Sequence, residues 1–203
     1  RQAAILAEAK HAFEAAMGFA PTSFRPGHFS ANADTFRILA SLGFSRGSSG
    51  IPGRYRAGTG SDWRDWPRQC HYVGSVFEVP VTVHRVPLAR WRAYATWHAL
   101  TLARRGFVVD ALRGMAATVR GLGCDSVVQG TSLVDLRIED GGWSLIKEIV
   151  DAELARAGRA GQPAVLTAVT HSYVNYSAQD RGSSEYGMSR QRHLKRLFDY
   201  LGG

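Results

Sequence analysis

Two short polar stretches of this sequence carry groups able to do acid–base or anion chemistry. One is Phe24-Arg25-Pro26-Gly27-His28-Phe29; the other is Val169-Thr170-His171-Ser172-Tyr173. Arg25 is a permanent cation whose planar guanidinium can hold a carboxylate through two hydrogen bonds. Pro26-Gly27 makes a turn, and backbone N–H groups beyond the end of a strand are expected to be free to receive an oxyanion. His171 follows an apolar run, and an imidazole titrates near neutrality, so it can serve as a general acid or base. Each stretch also has a plainer reading. Arg25 would then sit in a structural salt bridge at a strand–loop–helix junction, and His171 would be hydrogen-bonded at the domain surface.

The elements that must position these groups are legible from periodicity. Ile5, Leu6, Ala9, Phe13 and Ala16 recur at three- and four-residue spacing and predict a helix from about Gln2 to Met17, ended by Gly18. A short strand is expected at about Thr22 to Arg25. Asn32 is placed to cap a second helix near Ala33 to Leu42, with Phe36, Ile38, Leu39 and Leu42 as its apolar side. Gly43 closes that helix and Phe44 opens another strand. This alternation is the pattern of an α/β layer with parallel strands. Ser48 to Gln69, rich in glycine and proline, reads as a long loop. Val73 to Val86 reads as a strand with Pro80 at an edge or bulge, and Thr131 to Ile138 as another. Helices are expected at about Leu88 to Arg105, Val108 to Leu122, Trp143 to Ala157 and Ser189 to Leu201, the third with Leu145, Ile149 and Leu154 inside. Pro163 to Thr170 is a near-continuous apolar run and reads as a buried parallel strand that ends at His171. In such sheets chemistry gathers at the C-terminal ends of strands, which is where both polar stretches fall.

Composition narrows the class. The chain has 203 residues, 45% hydrophobic and 21% charged, which excludes a disordered or low-complexity protein and fits one domain over residues 1–203. No apolar run approaches the roughly 18 to 20 residues of a membrane-spanning helix, so no membrane partner is expected. Lys plus Arg total 25 against 17 acids, a net charge of +8 that draws anionic partners. The charges are scattered, and no zinc finger, RNP motif or GXXG loop is present, so nucleic acid is not the expected partner. Cys70 and Cys124 form no CxxC pair and read either as two buried thiols or as one bridge.

The two polar stretches together resemble a family. Phe24-Arg25-Pro26-Gly27-His28-Phe29-Ser30-Ala31-Asn32, then Thr35, Leu39, Gly43-Phe44 and Ser48-Ser49, look like the third motif of the polysaccharide deacetylases (NodB-homology, carbohydrate esterase 4 group). Val165 to His171 is similar to the family's last motif, an apolar strand ending in a catalytic His. Asp62-Trp63-Arg64-Asp65-Trp66 has the spelling Asp-x-x-Asp-Trp of a further motif, in which an Asp and a Trp lie beneath the Arg. A solvent-facing loop with two anchored tryptophans is the other reading of that segment.

The resemblance implies an α/β fold, an incomplete, irregular (β/α) barrel lacking its first strands. It implies a metal-dependent hydrolase that removes N-acetyl groups from a polysaccharide or amino sugar, with a divalent metal, usually zinc, held by an Asp and two His. It gives His171 the protonation of the leaving amine, Arg25 the orientation of the catalytic base, and the backbone N–H of His28 a place at the oxyanion. It puts Pro26, Gly27, Asn32, Asp65 and Trp66 at the substrate, with Phe29 and Tyr173 flanking the sugar ring. Glu78 to Thr82 and the helices after them differ from the chitin and peptidoglycan deacetylases and are similar to variants found with bacterial surface-polysaccharide synthesis.

Two family motifs, Thr-Phe-Asp-Asp-Gly and His-x-x-x-His, do not occur, and no two of the seven histidines are four apart. In the family both precede the helix that opens this sequence. The expectation is therefore the C-terminal part of a longer domain that binds no metal and hydrolyses nothing by itself, with open strand edges that promote self-association. The alternatives are a non-catalytic carbohydrate-binding relative that has lost the metal site, and an arginine-rich nucleic-acid binder.

Overall fold

A computed structural model of the chain describes residues 1–56, 59–90, 127–128, 131–138, 143–169 and 184–202. Helix α1 spans Gln2–Met17 and stops where Gly18 takes the left-handed conformation (φ 75°) and donates its N–H to the Glu14 carbonyl. Gln2 Nε2 donates to Thr35 Oγ1 at 2.8 Å and ties α1 to helix α2, Ala33–Ser41. The expected cap of α2 is present as a reciprocal pair. The Asn32 side-chain Oδ1 accepts from the Thr35 N–H, and the Thr35 hydroxyl accepts from the Asn32 backbone N–H. Phe36 and Leu39 of α2 are buried in the core.

Strands β1 (Ser23–Phe24), β2 (Arg46–Gly47) and β6 (Val76–Glu78) pair in parallel, and β5 (His71–Val73) adds antiparallel to β6, giving the order β1-β2-β6-β5. The register sets Phe24 beside Gly47 and Gly47 beside Glu78, so three strand ends lie side by side. The Ser48–Gln69 stretch is more ordered than its composition suggests. It contains a hairpin, β3 (Tyr55–Arg56) with β4 (Ser61–Asp62), followed by a fully buried Trp63. The single strand expected over Val73 to Val86 is two strands in two sheets. Pro80, which has no N–H for a ladder, marks the break, and the chain passes on to β7 (Val83–Pro87). There β7, β9 (Thr131–Asp135) and β8 (Val127–Val128) form an antiparallel sheet in the order β7-β9-β8.

Helix α3, Trp143–Arg159, buries Ile146, Ile149, Val150, Glu153 and Ala157. Leu154, expected inside, is 39% exposed. Glu153 takes the inward position instead because Arg156 neutralises it with two hydrogen bonds. Helix α4, Ser184–Gly202, adds Leu197 to the same core as α3.

The expected buried strand at Pro163 to Thr170 is not a regular strand. Over residues 163–169 the only strand pairing among the described residues is one parallel bridge between Val169 and Arg137, and Val165 is 44% exposed. The reason lies in Thr82. Its hydroxyl accepts the Thr167 N–H at 2.8 Å while its own N–H donates to the Thr167 carbonyl, so a side chain takes the place of a ladder neighbour. The helices expected at about Leu88 to Arg105 (beyond residue 90) and Val108 to Leu122 lie outside the described residues, as do Cys124, Thr170, His171, Ser172 and Tyr173. Cys70 carries a free thiol.

The cap offers a direct check on this part of the fold. Asn32→Ala removes one half of a reciprocal pair and should lower the unfolding free energy by about 1 kcal/mol, read as a shifted midpoint in urea denaturation with an unchanged slope.

Candidate functional site

Parallel pairing brings the residues after β1, after β2 and at the end of β6 to one edge of the sheet: Arg25, Ser48-Ser49-Gly50 and Glu78. Ser48 anchors to β1 through its N–H to the Phe24 carbonyl, and its hydroxyl accepts from Arg25 Nη2 at 2.7 Å. Glu78 is fully buried. Its Oε1 accepts the N–H groups of Ser49 at 2.6 Å and Gly50 at 2.8 Å, while Oε2 is buried without a hydrogen-bond partner among the described residues. Burial raises the Glu78 carboxyl above the ordinary glutamate range, against the pull of those two N–H groups, His71 and Arg25. Partial burial lowers the Arg25 guanidinium, which Glu78 partly offsets.

Glycine is required at two points of this edge. A Cβ on Gly47 would lie 2.4 Å from Glu78 Oε2, and one on Gly50 would lie 2.3 Å from Trp66 Nε1. The strand end and the following loop are thus shaped around a carboxylate and an indole.

The turn after Arg25 is strained. His28 (φ 53°) and Phe29 (φ 55°) are successive non-glycine residues in the left-handed region, a conformation that persists only where the surroundings impose it. Here Trp63 imposes it, donating its indole N–H to the Phe29 carbonyl at 3.1 Å. The turn's N–H groups at Phe29 and Ser30 are not free as expected; they donate to the carbonyls of Pro26 and Gly27. Phe29 is in the core rather than beside a sugar, and the Arg25 guanidinium sits 5.9 Å from its ring centroid. Asn32 is occupied by the α2 cap.

The tryptophans follow the plainer of the two readings of their segment, anchored rings in a solvent-facing loop. Trp63 and Trp66 turn inward, with Trp66 stacked on Phe36 and edge-on to Trp63 and His71. Asp62 and Asp65 are left facing solvent, Asp62 bonded to Arg64. The acid whose field reaches Arg25 is therefore Glu78, not Asp65. Glu78, Ser48 and Trp63 were missed as site residues. The available signal for Glu78 was one acid at an inward position of an otherwise apolar strand.

In front of Arg25 lies an open cleft of about 460 Å³, lined by Arg25, Arg46, Ser48, Val79 and Thr167. Thr167 belongs to the segment that leads to His171, and His171 and Tyr173 themselves fall outside the described residues. Among the described residues no group of three or more His, Cys, Asp or Glu side chains could hold a metal ion. These residues do not fit the zinc that the resemblance implies. None of the helices, among the described residues, is long and apolar enough to cross a membrane. Comparison with protein-family models, with curated proteins and with solved structures returns no match.

Burial of Glu78 has a pH signature. The folded protein holds the Glu78 proton more tightly than the unfolded chain does, so protonation stabilises it. That contribution is complete below the ordinary glutamate value and is lost as pH rises through the elevated one. Relative to Glu78→Gln, the wild-type unfolding free energy should therefore fall as pH rises above the ordinary glutamate value. A pH-independent difference in denaturation midpoints would contradict the assignment. Glu78→Ala leaves two buried N–H groups unpaired and should cost about 2 to 6 kcal/mol, at roughly 1–3 kcal/mol each.

Proposed function

We propose that this chain forms the Arg–His side of a polysaccharide deacetylase of the NodB-homology type, binding an N-acylated sugar at the C-terminal edge of its parallel strands. On this reading β1, β2 and β6 are staves of an incomplete (β/α) barrel. One observation carries it: a guanidinium, a hydroxyl and a buried carboxylate, each from a different strand end, converge beside a strained turn at the mouth of a cleft. Sequence order and chemistry agree with the Arg-Pro motif of that family.

In the proposed complex Arg25 directs its remaining N–H groups into the cleft, where they hold a carboxylate or a polarised acyl oxygen in a fixed orientation. Ser48 limits the rotation of the guanidinium, and Glu78 fixes Ser48 through the loop. His171, four residues past a cleft-lining threonine, is the candidate proton donor to the leaving amine. The metal-holding pair of motifs is absent from the 203 residues, so the acyl bond is not expected to break on this chain alone. The same absence favours a second reading, a carbohydrate-binding relative without hydrolase chemistry.

The 203-residue chain is to be titrated with N-acetylglucosamine oligomers by calorimetry, with acetate release followed in parallel. Binding is expected to weaken about tenfold in Arg25→Ala and to recover only in part in Arg25→Lys, which lacks the planar fork. Equal affinity of wild type and Arg25→Ala would overturn the site. Acetate release by the chain alone, with or without zinc, would overturn the division of labour.

A further inference from the structure

A second recess, of about 310 Å³, lies between residues 68–70, the C-terminal half of α3 and residues 162–165. Its charged lining is two arginines and one glutamate. Arg68 and Arg156 line it, and the charges that act on Arg68 are Glu153, Arg85 and Arg156. The acid is spent: both Glu153 oxygens accept from Arg156, at 2.6 and 2.9 Å, and Glu153 is only 7% exposed. Nearby Glu148 is likewise taken by Arg90, at 3.0 Å, and lies 3.8 Å from His84. Arg68 has no hydrogen bond or ion pair among the described residues. Arg85 Nη1 is buried with no hydrogen-bond partner among the described residues. Arg156 is thus paired with Glu153, while the Arg68 guanidinium, exposed on the recess wall, is unmatched among the described residues and open to an anion.

The recess adjoins the first cleft. Val165 lines one and Thr167 lines the other, and two residues of chain span at most about 7 Å. A polymer lying along residues 163–167 would meet both.

We propose that the ligand of this trough is an acidic glycan, one of whose carboxylate or phosphate groups is held by Arg68 and Arg156 while an N-acyl group lies at Arg25. The placement at Arg25 rests on the deacetylase reading; the anion subsite does not. An oxyanion suits a guanidinium fork because it accepts two parallel hydrogen bonds, and a neutral sugar offers nothing equivalent. The recess is confined by a helix and a short segment, so a chain one sugar wide fits it better than a duplex.

The test compares four probes on the whole chain by calorimetry: a neutral N-acetylglucosamine oligomer, an oligomer of the same length alternating N-acetylhexosamine with uronate, a phosphate-bearing oligomer, and duplex DNA. At least one acidic oligomer should bind about tenfold or more tighter than the neutral one. Arg68→Ala and Arg68→Gln, at an exposed position, should abolish that gain and leave neutral binding unchanged. Arg37→Ala, on the outer face of α2, should change neither. Whichever acidic oligomer shows the gain identifies the group recognised. Equal affinity for neutral and acidic oligomers, or a gain that survives both Arg68 variants, would overturn the subsite. So would tighter binding of DNA than of any glycan with the same dependence on Arg68. If the Arg68-dependent gain is present but Arg25→Ala has no effect on any probe, the anion subsite stands and the deacetylase reading falls. If Arg25 matters and Arg68 does not, the reverse holds.

Discussion

Burying a carboxylate costs several kcal/mol unless hydrogen bonds offset it, and at Glu78 two backbone N–H groups offset part of that cost. The consequences run outward from that contact. It holds the loop after β2, whose Ser48 hydroxyl holds Arg25. It excludes any side chain at Gly47, because a Cβ there would collide with the carboxylate. It also joins three strand ends, for Glu78 closes β6, the loop leaves β2 and Arg25 leaves β1. These strands are two or three residues long, too short for ladder hydrogen bonds alone to secure the arrangement.

The aromatic layer beneath the site works with this contact. Trp63 fastens the strained turn after Arg25 by its indole N–H, and Trp66 fills the space that Gly50 leaves open. Phe36 from α2 packs on Trp66, so the capped helix and the loop share one core. Strain at His28 and Phe29 is offset by burial elsewhere, the usual condition for a backbone held in a sparsely populated conformation. The recess lined by residues 162–165, Arg68 and Arg156 lies against α3; in it Arg156 is paired with Glu153, and Arg68 is unpaired among the described residues.

Local signals were legible in the residues themselves. The first two helices, the Asn32 cap, the Gly18 and Gly43 stops, the short parallel strands and the helix from Trp143 onward follow from periodicity, capping chemistry and glycine's tolerance of positive φ. The placement of Arg25 at a strand end was legible too. Non-local events were not. The apolar run after Pro163 looked like a strand, yet a Thr82 hydroxyl more than eighty residues away supplies its partner. Leu154 looked inward, yet a paired Glu153 occupies the inward position. The Asp62-to-Trp66 segment allowed two readings, and only the inward rotation of Trp63 and Trp66, with the loop acids left in solvent, decides for anchored rings in a solvent-facing loop.

By itself, then, the order of residues determined which segments coil or extend and which cations stand at their ends, because those outcomes depend on neighbours within a few positions. Only the folded chain decided which acid faces Arg25, which aromatic rings are core and where positive charge goes unbalanced. Those outcomes depend on the free energy of burial, and burial is set by contacts between residues far apart along the chain.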